Sequence, residues 1–237
     1  MPTLTVTIDV NGQGMALHTA LPDGDGPFPG IVVIQHAPGV DEFLHVMVGR
    51  LAEAGFAAAA PDLYHRQDPT VASAMEKMKL LRDREIIADV NATVEFLRAH
   101  PAIAPERLGI TGFCMGGRVV YLMAAANPSF RAAVAYYGGN IMVPWDEDEN
   151  APFSRTSEID CPLMFHFGAD DTNPSPEDMR KLDDALTSHG KPHEFHVYQG
   201  AGHAFMNFTN AERYREDAST LSWPRTLQFF RRHIVEG

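Results

Sequence analysis

The chain has 237 residues, 45% of them hydrophobic, which suits one domain spanning 1–237 with a substantial core. Lys plus Arg number 19 against 31 acids, a formal charge of −12, and no basic run offsets it; nucleic acid and anionic membrane surfaces are excluded as natural partners. Met1 to Thr5 shows no secretory pattern, no run of roughly 18 apolar residues suggests a membrane span, and Cys114 and Cys161 form no disulfide framework, so a reduced cytoplasm is the expected setting.

Thr3 to Asp9 alternates polar and apolar and predicts a strand, with Asn11-Gly12 as the turn and Met15 to Leu21 as its hairpin partner. Residues 22–27 read as a loop. Gly30 to Gln35 carries an unbroken β-branched run, the pattern of a strand covered on both faces. Phe43 to Ala54 predicts a helix closed by Gly55, and Phe56 to Ala60 the next strand. Pro69 to about His100 reads as largely helical, in one or two pieces, with Ile87, Val90, Val94 and Leu97 as its inner stripe. Met75, Met78 and Leu81 have helix-core spacing.

Pro105 precedes a strand ending near Phe113, and a helix follows through Ala126. Arg131 to Tyr137 predicts a strand, residues 144–160 an acidic surface loop, Leu163 to Phe167 a strand, Ser175 to Ser188 a helix and Glu194 to Tyr198 a strand. Trp145, beside Asp146, Glu147, Asp148 and Glu149, reads as solvated loop rather than the edge of a lid. Ala211 to Ile234 predicts a closing helix that Pro224 threatens to break. Alternating strands and helices after a first hairpin imply an α/β fold: a mostly parallel sheet with an antiparallel amino-terminal hairpin and helices on both faces.

The chemistry concentrates at Gly112-Phe113-Cys114-Met115-Gly116-Gly117. A strand, a tight turn and a helix place a thiol at the apex, with glycines where a side chain would strike the neighbouring backbone. The helix amino terminus favours thiolate. A small buried cysteine in a glycine-rich turn has the same local pattern, so the distinction rests on partners. A thiol nucleophile needs a base, and the base an orienting acceptor. His203 follows one later strand, and Asp170 and Asp171 follow another, all at carboxyl ends of strands. Spacing does not separate the two adjacent acids. For the oxyanion, the backbone N–H groups of Met115 and Ala37 are the expected donors.

These pieces resemble the dienelactone hydrolase (carboxymethylenebutenolidase-like) family of α/β-hydrolases over nearly the whole chain. The likeness rests on Ile31 to Gln35, Leu51-Ala52-Glu53-Ala54-Gly55-Phe56, Ala60-Pro61-Asp62-Leu63-Tyr64, the Cys114 turn, Gly168-Ala169-Asp170-Asp171 and Gly200-Ala201-Gly202-His203-Ala204-Phe205. The resemblance implies an α/β-hydrolase fold and a Cys114–His203–Asp171 triad, favouring Asp171 over Asp170. It also implies a hydrolase of cyclic or activated esters that uses neither metal nor organic cofactor.

The chain departs from the family in two places. His36 stands where the family has a glutamate at the resting thiol, and is expected to line the site and alter thiol activation; otherwise it is a loop histidine turned to solvent. Ala204-Phe205-Met206-Asn207 lacks the family's carboxylate-binding arginine, leaving Arg82 or Arg84 as candidates for that role. Phe113, Tyr137, Phe205 and Met206 are expected near the mouth, with Asn207, favouring a flat or hydrophobic substrate. A weakly charged ester, lactone or thioester is the preferred partner, bound by a monomer or small homo-oligomer. The alternatives are a thioesterase or small-peptide hydrolase on the same triad, and a non-hydrolytic thiol-sensing or binding protein. His193 and His196, three apart on a strand, point to opposite faces and are not expected to share a metal.

Overall fold

The computed structural model describes residues 3–145 and 150–236. The acidic run Asp146 to Glu149 and the Met1-Pro2 start therefore lie outside the described residues. Strands β1 (Thr3–Val10) and β2 (Gln13–Ala20) pair antiparallel around Asn11-Gly12, whose φ values of 56° and 83° are those a tight hairpin requires. Strand β2 also pairs antiparallel with β4 (Ala57–Pro61). From there the sheet is parallel through β3 (Phe28–Ile34), β5 (Ile103–Phe113), β6 (Phe130–Tyr136), β7 (Leu163–Gly168) and β8 (His193–Tyr198). The spatial order is β1-β2-β4-β3-β5-β6-β7-β8, the α/β-hydrolase arrangement.

The helices divide between two faces. Helices α1 (Glu42–Glu53) and α6 (Glu216–Phe230) pack on one, with Ile31, Val33, Ala58 and Ala60 of the sheet beneath them. Helices α3 (Asp83–Ala99), α4 (Met115–Ala126) and α5 (Pro176–Ser188) cover the other, over Val32, Ile34, Ala57 and Ala59. Neighbouring strand residues thus feed opposite cores, which is why the inner strands show no polar alternation. Helix α1 alone buries Phe43, Leu44, Met47, Val48 and Leu51, each contributing about 1.5–3 kcal/mol of hydrophobic stabilisation. Among the described residues no helix is long and apolar enough to cross a membrane.

Several local expectations require correction. The buried stripe of α3 is Ile86, Val90, Val94 and Leu97, with Ile87 turned to the half-buried side. Strand β5 begins before Pro105, whose neighbourhood bulges outward with Pro105, Glu106 and Arg107 exposed. The stretch from 69 is not helical until α2 (Ala74–Lys79), which buries none of its residues, and Met75 is 54% exposed. Within the predicted loop 144–160, Pro152–Glu158 forms a 3-10 helix that buries Pro152 and Thr156. Helix α6 starts only at Glu216, because the Arg215 N–H turns back to the Phe205 carbonyl. It continues through Pro224: Pro224 and Thr220 are both exposed, so the carbonyl that the proline leaves unpaired lies on the solvent side.

Candidate active site

Strand β5 ends at Phe113 and α4 begins at Met115, leaving Cys114 alone at the turn with φ 56° and ψ −118°. A non-glycine residue here carries strain on the order of 1–3 kcal/mol, which the surroundings must hold. They do so by close backbone contact. A Cβ on Gly116 would lie 2.6 Å from the Ile34 carbonyl oxygen and 2.7 Å from that of Gln35, and one on Gly117 would lie 2.6 Å from Gly138 Cα. The Cys114 N–H donates to Tyr136 O at 3.0 Å, tying the apex to β6. Gly116→Ala is therefore expected to lower stability by about 1–3 kcal/mol, since rigid backbone rather than a flexible side chain must yield. Chemical denaturation measures it, and an unchanged midpoint would contradict the close fit.

The β7 and β8 loops bring the other two groups to this turn. Asp171 is 4% exposed, whereas Asp170 is exposed. Asp171 Oδ2 lies 2.9 Å from His203 Nδ1, and its Oδ1 accepts the Asn173 N–H at 2.9 Å. The carboxylate is thereby aimed from both oxygens. With Nδ1 taken by Asp171, the other ring nitrogen of His203 faces Cys114. Burial by itself would raise the Cys114 pKa, but contact with His203 and the N–H groups of Met115 and Ala37 bring it below that of an ordinary cysteine. Burial would likewise lower the His203 pKa; hydrogen bonds to Asp171 and Cys114 instead raise it to about 10. The arrangement favours thiolate and imidazolium together.

The two N–H groups expected from the sequence, Met115 and Ala37, thus both favour the charged form of the sulfur. Tyr64 holds them in place, a role that its position in Pro61-Asp62-Leu63-Tyr64 does not suggest. Its hydroxyl donates to the Ala37 carbonyl at 2.8 Å and touches Met115 Sδ at 3.4 Å. Gln35 Oε1 accepts the Leu63 N–H at 3.1 Å, joining the same two loops.

A cavity of about 320 Å³ opens on Cys114 and His203. His36 borders it but is 5% exposed, with Nε2 2.8 Å from Asp41 Oδ2 and its ring against Phe43. It does not turn to solvent, and its Nε2 is engaged by Asp41 rather than by the thiol. Asn207 also borders the cavity, its Oδ1 accepting from the Thr209 N–H and hydroxyl.

The expected aromatic mouth is not found. Phe113, Tyr137 and Phe205 are fully buried behind the site: Phe113 packs on Phe43 at 4.9 Å, and Tyr137 meets the His203 and Phe205 rings, each at 5.2 Å. Met206 is buried beneath the Ser219 hydroxyl. Neither Arg82 nor Arg84 borders the cavity. Arg82 donates to the Lys79 and Leu81 carbonyls, and Arg84 lines a separate open cleft with Arg155 and Glu158 that contains neither thiol nor imidazole.

The walls come instead from residues the sequence did not assign to the site. Met75 and Met78 of α2, Trp145, and Arg213 at the exposed rim border the cavity; Met75 is surface, whereas Met78 is half-buried against the core that contains Leu81, and Trp145 is not merely solvated loop. The only sequence signal at Met75 and Met78 is hydrophobic periodicity, which holds for Leu81 and in part for Met78 but misleads at Met75. His193 and His196 stay apart as expected, pairing with Asp183 and Glu194. Among the described residues no three His, Cys, Asp or Glu side chains gather in a way that could hold a metal ion.

Comparison with known proteins agrees with this architecture. A family model described as the dienelactone hydrolase family matches residues 15–234. A provisionally named 2-oxo-3-(5-oxofuran-2-ylidene)propanoate lactonase of Bradyrhizobium sp. is 32% identical, covering 97% of this chain and 94% of its own. A provisionally named carboxymethylenebutenolidase of Synechocystis sp. is 31% identical, over 98% of this chain and 97% of its own. Among solved structures, a provisionally named dienelactone hydrolase from Klebsiella pneumoniae superposes with a TM-score of 0.87 at 30% identity, covering 97% of this chain and 99% of that one.

Proposed function

Because this chain belongs to the dienelactone hydrolase family of ester and lactone hydrolases, we propose that it cleaves its substrate through a Cys114–His203–Asp171 triad and a thiol acyl-enzyme. The observation that carries this reading is the continuous relay from buried Asp171 through His203 to a thiol that also meets two backbone N–H groups.

The thiolate attacks the acyl carbon, forming the C–S bond and pushing the carbonyl π electrons onto oxygen. That oxyanion is stabilised by the Met115 and Ala37 N–H groups, fixed dipoles that need no reorganisation. As the oxyanion collapses, the C–O bond to the leaving group breaks, and the His203 proton facing the thiol passes to the departing alkoxide. In a lactone the ring opens and the alcohol remains tethered to the acyl group. His203, now neutral, takes a proton from water, whose oxygen attacks the thioester carbon and expels thiolate. Asp171 keeps Nδ1 protonated and stabilises the imidazolium throughout.

The walls set the substrate range. Met75, Met78 and Trp145 supply apolar area, and an anionic substituent would meet Arg213 at the rim rather than Arg82 or Arg84. A lactone or weakly charged ester fits this balance best.

The test is turnover of p-nitrophenyl acetate and of a dienelactone side by side, with acid quenching and mass spectrometry of the Cys114 peptide. An acyl adduct on that peptide, and loss of turnover after iodoacetamide, are expected. Turnover that survives alkylation with no adduct would overturn the nucleophile. A thiol that oxidises reversibly while neither ester is turned over would support the sensing alternative, which a low-pKa thiol alone would satisfy.

A further inference from the structure

Arg118 lies on α4, one turn past the nucleophile, and is 0% exposed. Its guanidinium is bound on every side. Nη1 and Nη2 form a fork to Asp83 Oδ1 and Oδ2 at 2.6 and 2.9 Å. Nε donates to the Asn140 carbonyl at 3.1 Å, and Nη2 also to the Val143 carbonyl at 3.0 Å. The Trp145 ring stacks on the same guanidinium at 3.9 Å.

None of these groups is a reacting group, yet two of them belong to the cavity wall: Asn140 and Trp145 both border it. The segment 138–145 forms neither helix nor strand, and it passes through positive φ at Asn140 (58°). Its hydrogen bonds among the described residues include the Val143 N–H to Asn140 O, the Asn140 N–H to Asn173 Oδ1, the Phe153 N–H to Ile141 O, and the Trp145 carbonyl accepting from Arg82 Nη1 at 3.5 Å. Two more of its carbonyls and its only indole converge on Arg118. A lysine, a point charge on a flexible stem, could neither complete the fork nor stack.

We infer that Arg118 is a positioning residue: working through Trp145, it fixes the cavity wall that discriminates between esters by the shape and flatness of their acyl group. The inference rests on the reading of Cys114 as nucleophile. The indole is backed by a cation on one side and borders the cavity, so a planar unsaturated acyl group gains a stacking partner that a saturated ring of the same size does not. Thiolate formation depends on His203, Met115 and Ala37, not on this wall.

The experiment measures kcat/KM for p-nitrophenyl benzoate over that for p-nitrophenyl cyclohexanecarboxylate in wild type, Trp145→Ala and Arg118→Lys. The rate of Cys114 alkylation by iodoacetamide is followed in parallel. Trp145→Ala is expected to lower the ratio about three- to tenfold, the scale of one aromatic stacking contact. Arg118→Lys should move it the same way, with the pH at which alkylation falls on the acid side unchanged in both. In a Trp223→Phe background, Trp145 is the remaining indole, and Arg118→Lys should steepen its quenching by acrylamide. Should Arg118→Lys fail to fold, Asp83→Asn keeps the guanidinium while loosening the fork and is read in the same two ways. A wild-type ratio in Trp145→Ala, or a folded Arg118→Lys with wild-type ratio and quenching, would overturn the inference. Wild-type turnover that resists iodoacetamide would instead overturn the parent reading, whatever the ratio.

Discussion

Cys114→Ala is expected to lower kcat/KM for p-nitrophenyl acetate on the order of 10⁴-fold, while leaving the protein folded. The loss is large because no other group in the cavity replaces a thiolate held against His203 and two N–H donors. What remains is the contribution of the oxyanion donors and of binding. Alanine at this position keeps the strained φ of 56°, so the variant does not relax the turn that places Met115 and Ala37. Cys114→Ser is the sharper comparison, because a hydroxyl is not ionised by an imidazolium that serves a thiolate. It should recover little of the lost rate. Steady-state kinetics with a thermal melt on the same samples separates chemistry from folding. A folded Cys114→Ala variant with turnover within tenfold of wild type would require another nucleophile.

The second large effect concerns proton position. In wild type, the thiol pKa lies below that of an ordinary cysteine and the His203 pKa is raised to about 10. The ion pair therefore holds from the depressed thiol pKa up to about pH 10. Below that window the thiolate takes up a proton; above it the imidazolium loses one. The iodoacetamide rate should accordingly fall on the acid side of the depressed thiol pKa and be flat above it, up to about pH 10.

His203→Asn removes the strongest opponent of burial and leaves the burial itself, so the thiol pKa must rise from its wild-type position. With each pKa unit of rise worth up to a factor of ten in thiolate at a pH below it, alkylation at pH 7 should drop about tenfold or more and then climb steadily through alkaline pH. The pH–rate profiles of the two proteins decide the matter. Parallel profiles would mean that the helix terminus and the backbone N–H groups, not His203, hold the thiolate.

Much of this is legible in the order of residues along the chain. The succession of strands and helices follows from local hydrophobic periodicity and from turn residues such as Asn11-Gly12 and Gly55, which act within a few positions of themselves. Gly116 and Gly117 mark the sharp turn at Cys114 because only a residue without Cβ tolerates backbone atoms at those distances. What failed did so for identifiable reasons. Phe113 adjoins Cys114 in sequence but turns into the core, since neighbours on an extended chain face opposite ways, and Tyr137 and Phe205 turn inward on loops of irregular backbone whose course no local pattern gives. Ile86 takes the place of Ile87 in the α3 stripe because a one-position offset is a rotation that only docking against the sheet selects.

The sequence by itself determined the candidate groups of the proposed triad and their order along the chain: thiol, carboxylate, imidazole, each after a strand of a parallel sheet. Spacing left two adjacent acids open, the family resemblance favoured Asp171, and the tertiary structure places Asp171 on His203; the tertiary structure alone decided that Met75, Trp145 and Arg213 border the cavity while Arg82 and Arg84 do not. The physical reason is range. Turns and periodicity are written in neighbouring residues, whereas a cavity wall is made where segments far apart in the chain come to rest. That placement depends on buried contacts such as Arg118 with Asp83 and Tyr64 with Ala37, which no local pattern encodes.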